Sequence, residues 1–421
     1  MSLLAQRFRS VVSKSKDLKL KGESSPNICY STGFIAFDYL NGYIVHVKNE
    51  EKNIDTKYYN VGIQDGTMNL FIGRSQCGKS TFALQVGYNI IKDFPNACFY
   101  HDDIEGGLND ARKVQLAGVD SLEELKKKYI CRDTGNTTEN VYERIKMIAD
   151  EKISHPEDYM YDTGKIDEQG NNIMKLEPTV YLIDSMAILV PEQFSDCEDL
   201  GTAMSIPAVT KKNTQMLKWI LPLLKSANII LFIINHILPD ISIMPKKGQL
   251  RYLKPGERIT GGETQIYLAS NCIRFDDSKL RADKGFGLGH DGAIIDASLV
   301  KSRSNITGRP IPLLFDPNLG YDPDLSILLL LKANNKIEGG GFMHVVGSDI
   351  KFRQKEFKQK LRDSLNPNIT SESPQFAKEV MIAVSEILKQ LVVDNEQTEV
   401  LNRNENFSNS LLDMMNNALV A

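Results

Sequence analysis

Gly73 to Thr81 reads GRSQCGKST, set between an apolar run (Met68 to Ile72) and a helical pattern through Leu84, Tyr88 and Ile91. The spacing GxxxxGKS is complete. Gly73 and Gly78 let the backbone turn its N–H groups onto one anion across Arg74, Ser75, Gln76 and Cys77, and the positive end of the following helix faces the same point. Lys79 then reaches terminal phosphates, Ser80 offers its hydroxyl to Mg²⁺, and Thr81 ends the loop. These residues describe a nucleoside triphosphate site.

The chemistry of such a site needs a metal-holding carboxylate and a base. TVYLIDS places Asp184 at the end of a buried apolar run, where a carboxylate holds the Mg²⁺ water shell across from Ser80, with Ser185 beside it. Bound phosphates supply no base of their own, so a second carboxylate must orient and deprotonate water. HDDIEGGL (His101 to Leu108) lies just past the next strand and offers Glu105 and Asp103, an alternative that the sequence leaves open. NIILFIINH ends a very apolar strand with Asn235 and His236, polar residues placed to sense a terminal phosphate. Residues 237–259 then carry Lys246, Lys247, Arg251, Lys254 and Arg258 against Asp240 and Glu257. Pro239, Pro245, Gly248, Pro255 and Gly256 discourage regular structure there, and a basic mobile loop suits a nucleic-acid backbone. In LVKSRSNITGR, Lys301 and Arg303 stand two apart on a strand and so share a face, where cations can neutralise a transferring phosphoryl group, including one held by a neighbouring subunit.

The elements that must position these groups alternate between apolar runs and helical patterns, which indicates an α/β core with a largely parallel sheet. Strands are expected at Asn69 to Ile72, Ala97 to Tyr100, Val180 to Ile183, Ile229 to Ile234, Cys272 to Phe275, Ala297 to Val300 and Leu313 to Phe315. Helices are expected near 79–92, 121–128, 139–152 and 207–226. Two polar insertions interrupt the core, at 48–60 as a surface loop or hairpin and at 154–176 outside the core. The division expected is an N-terminal helix and linker (1–30; Leu4, Phe8, Val11, Val12), the core (31–335), a small C-terminal domain (336–393) with helices at Arg353 to Leu365 and Gln375 to Leu391, and an acidic Asn-rich tail (394–421).

Composition narrows the classes. The chain has 421 residues, 42% hydrophobic and 25% charged, the balance of a water-soluble globular protein with room for two or three domains. A net charge of −4 argues against a uniformly basic nucleic-acid coat, yet the ends differ in sign. Residues 1–26 carry Arg7, Arg9, Lys14, Lys16, Lys19 and Lys21 against Asp17 and Glu23, and the tail carries Asp394, Glu396, Glu399, Glu405 and Asp413 against Arg403. The six cysteines (29, 77, 98, 131, 197, 272) form no CxxC pair, and Cys77 sits within the phosphate loop, so a reducing, intracellular compartment is expected. No apolar run approaches the roughly 18 residues that span a bilayer, which argues against secretion and membrane insertion.

Taken in order, the motifs between Ser31 and Asn335 resemble the RecA family of strand-exchange recombinases, and within it the phage UvsX-like branch. STGFIAFDYLNG (Ser31 to Gly42) is similar to the family's entry motif, GRSQCGKST to its Walker A, EGGLND to its catalytic-glutamate segment and VYLIDSMAIL to its Walker B. FIINH is similar to the switch segment between nucleotide and DNA, and TGGETQIYLASNCIRF (Thr260 to Phe275) to the strand after the second DNA loop. The resemblance implies a RecA-like P-loop ATPase core that binds ATP and Mg²⁺, with Glu105 as catalytic glutamate and His236 as switch. It implies a second DNA loop at 237–259 continued by Thr260, Gly261 and Gly262, and Lys301 and Arg303 acting on the adjacent subunit's ATP. HDDIEGG is two residues longer than the family segment, and a first DNA loop would fall within Glu192 to Met204, where SDCEDLG is acidic. The implied partners are single- and double-stranded DNA, further copies of the chain in a helical filament or ring, and loader and single-strand-binding proteins. Hexameric replicative helicases share this core and a KxR strand. FDPNLGYDPDL (Phe315 to Leu325), the apolar helix after it, EGGGF and the absence of a helicase-type N-terminal domain favour the recombinase. A nucleotide-dependent filament scaffold without strand exchange is the reading from another class.

Overall fold

Burial on both faces is what the apolar runs of this sequence require, and a parallel sheet covered by helices provides it. A computed structural model describes residues 27–41, 43–195, 206–240, 252–282, 286, 288, 291–303, 310–366, 369 and 374–392. The expected N-terminal helix, most of SDCEDLG, the loop cations Lys246, Lys247 and Arg251, and the acidic tail lie outside the described residues.

Ten described strands form the central sheet: β1 (Met68–Gly73), β2 (Cys98–Asp103), β3 (Tyr129–Arg132), β4 (Thr179–Asp184), β5 (Ile229–Pro239), β6 (Glu257–Ile259), β7 (Asn271–Ala282), β8 (Gly292–Ser302), β9 (Pro310–Asp316) and β10 (Gly320–Asp322). Their spatial order is β10-β9-β8-β7-β1-β5-β4-β2-β3, with β6 on the end of β5. From β7 through β3 every pairing is parallel, while β8, β9 and β10 continue the other side as an antiparallel arm. This is the α/β class expected, a mostly parallel sheet with helices on both faces.

Side-chain alternation divides the core into two apolar layers. Phe71, Phe232, Ile234, Val180 and Leu182 face one layer, which the Lys79–Ile91 helix covers with Phe82, Ala83 and Val86. Leu70, Ile72, Leu231, Ile233 and Ile183 face the other, covered by Val141, Ile145 and Ala149 of the Thr138–Ser154 helix and Leu217, Ile220 and Leu224 of the Ile206–Ser226 helix. Phe82 is the hub of the first layer, with ring contacts to Phe34, Phe37, Phe71, Phe275 and Tyr321.

Every expected strand is present and longer than its apolar run, because ladder hydrogen bonds extend into polar residues at the ends. The Asp110–Ala117 helix and β3 were not expected from periodicity, since few of their side chains are buried. Local signals for that helix do exist: the Asn109 side chain accepts from Arg112 N, and Gly118 closes it at φ 70°. The 48–60 insertion is a hairpin, Tyr43–Asn49 with Ile54–Asn60. The 154–176 insertion also forms a hairpin, Met160–Ile166 with Asn172–Leu176, but it is not outside the core. Its Ile173 belongs to the first apolar layer, and Lys165 reaches Asn60 Oδ1 at 3.1 Å, so the two insertions pack together. The apolar helix after FDPNLGYDPDL is Pro323–Ala333, capped by Asp322. Beyond it Phe352, Phe357 and Phe376 pack ring to ring and join the first layer. Among the described residues no helix is long and apolar enough to cross a membrane.

The phosphate-loop helix can approach the sheet because residue 87 is Gly. A Cβ there would meet Phe99 Cε1 at 2.6 Å and Val180 Cγ1 at 3.1 Å, and both neighbours are fully buried. Ala improves helix propensity by about 1 kcal/mol, but overpacking a rigid core costs about 1–3 kcal/mol. Gly87→Ala is therefore expected to lower the denaturant midpoint at unchanged m-value. A raised midpoint would show that the sheet yields and that close packing is not why Gly stands there.

Candidate nucleotide and relay site

The parallel registers bring the ends of four strands to one edge of the sheet. His236 pairs with Gly73, Ile233 with Ile183, and Asp103 with Asp184. The carboxyl edge of an open parallel sheet is where ligands of such folds bind. From Gly73 the chain turns through Arg74, Ser75 and Gln76, all exposed, to Cys77 and Gly78. Gly78 stands at φ 77° as N-cap of the Lys79–Ile91 helix, and a side chain there would strike the Tyr321 hydroxyl. A Cβ on Gly73 would meet Phe275 O at 2.6 Å. Both glycines are therefore required by shape. Lys79 is buried and donates to Gly73 O (3.2 Å) and Arg74 O (2.6 Å), folded onto the loop whose anion it would face. Thr81 is buried in the first turn.

Asp184 sits opposite. The Ser80 hydroxyl hydrogen-bonds its carboxylate, while Asp184 Oδ1 is buried with no hydrogen-bond partner among the described residues. Burial raises its pKa to about 7, and the charges of Glu105 and Asp103 add to this against the lowering by Ser80 and Lys79. An orphaned oxygen next to a hydroxyl is a donor set that fits Mg²⁺.

Glu105 and Asp103 have different surroundings. Glu105 accepts from the Ser185 hydroxyl, and its Oε1 lies 2.8 Å from His236 Nε2. Burial raises its pKa, but these two hydrogen bonds and the charges of His236 and Lys79 outweigh it and hold the carboxyl below its ordinary value. Asp103 is buried in an ion pair with Lys113 (3.3 Å) and accepts from Gly107 N at 3.3 Å. Of the two carboxylates, Glu105 is the one whose side chain bonds Ser185 and His236, whereas Asp103 lies beside Asp184 in the ladder with its carboxylate turned to Lys113.

Asn235 continues the relay. It is fully buried, donates to Thr260 O (2.9 Å) and Gln265 Oε1 (2.7 Å), and accepts from the Thr260 hydroxyl. Its Oδ1 also accepts from the backbone N–H of His236 at 2.8 Å. Gly261 and Gly262 follow at φ 69° and 86°, where added side chains would press on Gln265 and Thr210. The expectation that residues 237–259 lack regular structure is corrected at both ends of the loop: Ile237, Leu238 and Pro239 pair with Ile259, Arg258 and Glu257. Pro239 is tolerated because it ends an edge ladder. Arg258 is exposed on β6, whereas Lys254 is drawn to Asp276 at 3.3 Å. Glu257 is bound by both guanidinium nitrogens of the buried Arg274, at 2.6 and 2.9 Å. Arg274, Gln265 and Lys113 were invisible to motif reasoning, since no spacing announces a partner that only folding supplies.

Lys301 lies in β8, but Arg303 is just past the strand's end at Ser302, which corrects the expectation that both stand on one strand; the two cations still reach one set of carbonyls, away from this site. Lys301 Nζ donates to the carbonyls of Ile266, Tyr267 and Ala269 (2.6, 2.8 and 2.8 Å), and Arg303 to those of Tyr267 and Leu268 (3.2 Å each). They meet the C-terminal carbonyls of the short Thr264–Leu268 helix, where cations are favoured. In register Lys301 pairs with Cys272 and Cys272 with Leu70, three positions before Gly73. At about 3.3 Å per residue that is about 10 Å along the strand from the chain's own phosphate loop.

No protein-family model and no curated protein matches the chain. A crystal structure of the RadB recombinase is similar at 18% identity and a TM-score of 0.38, over 62% of this chain and 92% of that one.

Proposed function

We propose that this chain is an ATP-dependent DNA recombinase of the RecA family, of the phage UvsX-like branch, which assembles on single-stranded DNA, pairs it with double-stranded DNA and hydrolyses ATP under DNA control. The observation that carries the reading is the continuous bonded path from nucleotide site to loop: Glu105 to His236 at 2.8 Å, His236 N–H to Asn235, and Asn235 to Thr260 and Gln265. A P-loop enzyme without a second ligand has no use for a base wired to the root of a basic loop.

The roles follow from position. Backbone N–H groups from Gly73 to Thr81 would hold the phosphates, Lys79 would turn from the loop carbonyls to the terminal phosphate, and Ser80 and Asp184 would hold Mg²⁺. The metal would neutralise charge building on the phosphoryl oxygens. Glu105, kept ionised, accepts a proton from the attacking water. His236 competes with that water for Glu105 Oε1, so movement of Asn235 and Thr260 when DNA occupies the loop alters the base's freedom. Lys246, Lys247, Arg251, Lys254 and Arg258 contact the DNA backbone, with Gly261 and Gly262 as the turn that sets the loop's exit. Lys301 and Arg303 lie too far from their own phosphate loop to serve it, which supports action in trans within a head-to-tail filament. Loader and single-strand-binding proteins are the expected accessory partners. A hexameric helicase would use the same ATP chemistry, and electron microscopy with single-stranded DNA separates rings from open filaments.

Glu105→Gln is expected to bind nucleotide and single-stranded DNA as the unmodified chain does while kcat falls about 10²–10⁴-fold. Asp103→Asn, by contrast, leaves Lys113 buried without its charge partner and should lower stability by about 3–5 kcal/mol. A selective loss of kcat in Asp103→Asn, with Glu105→Gln active, would reverse the assignment.

The trans arrangement is tested by mixing. Lys301→Ala/Arg303→Ala and Lys79→Ala are each expected to be inactive alone, and DNA-stimulated ATPase should return when they are combined, at junctions that pair an intact loop with an intact cation pair. No recovery at any ratio, with co-assembly verified by light scattering, would place both cations in cis.

A further inference from the structure

Parallel pairing of β2 and β3 sets His101 directly opposite Cys131, and Asp103, two residues beyond His101, shares its face. An imidazole, a carboxylate and a thiol thus converge, with their ligand atoms all within 4.8 Å of one another. His101 and Asp103 are buried and Cys131 is half-buried, which leaves an approach from the β3 edge.

Two observations suit this cluster to a cation. His101 Nδ1 meets the Tyr129 hydroxyl at 2.5 Å, but its Nε2 is buried with no hydrogen-bond partner among the described residues, an arrangement that costs stability unless something satisfies it. The Lys113 ammonium lies 3.3 Å from both Asp103 Oδ2 and Cys131 Sγ, so a positive charge already bridges the oxygen and sulfur donors.

We propose that His101, Asp103 and Cys131 form a site for a thiophilic divalent metal of the zinc class, with Lys113 as the internal cation that the metal displaces. Mg²⁺ and Ca²⁺ prefer oxygen donors alone, whereas sulfur, nitrogen and oxygen together suit zinc. Zinc bonds of about 2.0–2.3 Å bring ligand atoms to about 3–4 Å apart, a contraction of about 1 Å from the present cluster. The Cys131 thiol gives up its proton to solvent, and thiolate plus Asp103 carboxylate balance the metal's charge. Lys113 withdraws on its flexible stem, and water takes the fourth position. The Tyr129 hydroxyl orients the ring from Nδ1, the arrangement common behind metal-bound histidines. This donor set is separate from Ser80 and Asp184.

The test titrates Co²⁺ into the full chain with excess Mg²⁺ present. One equivalent is expected to give a thiolate-to-cobalt charge-transfer band that added Zn²⁺ abolishes. Cys131→Ser should lose the band while its melting curve stays cooperative, and Lys113→Met should bind Co²⁺ about tenfold tighter, because the competing cation is gone. Absence of the band from the unmodified chain overturns the proposal whatever Lys113→Met does. A band that survives Cys131→Ser overturns it too, since another cysteine then supplies the sulfur.

Discussion

The register of the parallel ladder is the constraint on which the rest depends. Hydrogen bonds between β1, β5, β4 and β2 align Gly73, His236, Asp184 and Asp103 within one edge of the sheet. A slip of one residue in any pair would turn Asn235 or Asp184 to the other face and bury an apolar neighbour in its place. The two apolar layers prevent that slip, because each strand side chain is already committed to Phe82 and its partners or to the Thr138–Ser154 and Ile206–Ser226 helices. Packing thus fixes the chemistry indirectly, by fixing register.

Within that edge, three carboxylates have three different surroundings. Asp184 is raised to about 7, first by burial and then by two nearby acids, and a cation beside it would favour its ionised form. Asp103 has its cation built in, Lys113. Glu105 stands partly open to solvent, and the hydrogen bonds of Ser185 and His236 keep it ionised. Acids this near one another cannot share one environment, and the environment of each suits a different task.

Distance does similar work on the other side of the sheet. Lys301 and Arg303 are satisfied by carbonyls at the end of the Thr264–Leu268 helix, and the same helix carries Gln265, which Asn235 binds. The cation pair and the relay therefore meet on one short element.

The sequence by itself determined the phosphate loop, the strand that ends in Asp184, the apolar strand before Asn235 and His236, and the α/β class. Each is a local matter: glycines where a side chain would clash, a carboxylate after a buried run, periods of two and 3.6. Tertiary structure alone decided between the surroundings of Glu105 and Asp103, for that depended on Lys113, which arrives from a helix that too few buried side chains announced. It decided that the 154–176 insertion joins the core through Ile173, and that His101 faces Cys131. The reason is the same in each case: the partner stands far along the chain, or across a strand pairing whose register no single segment encodes.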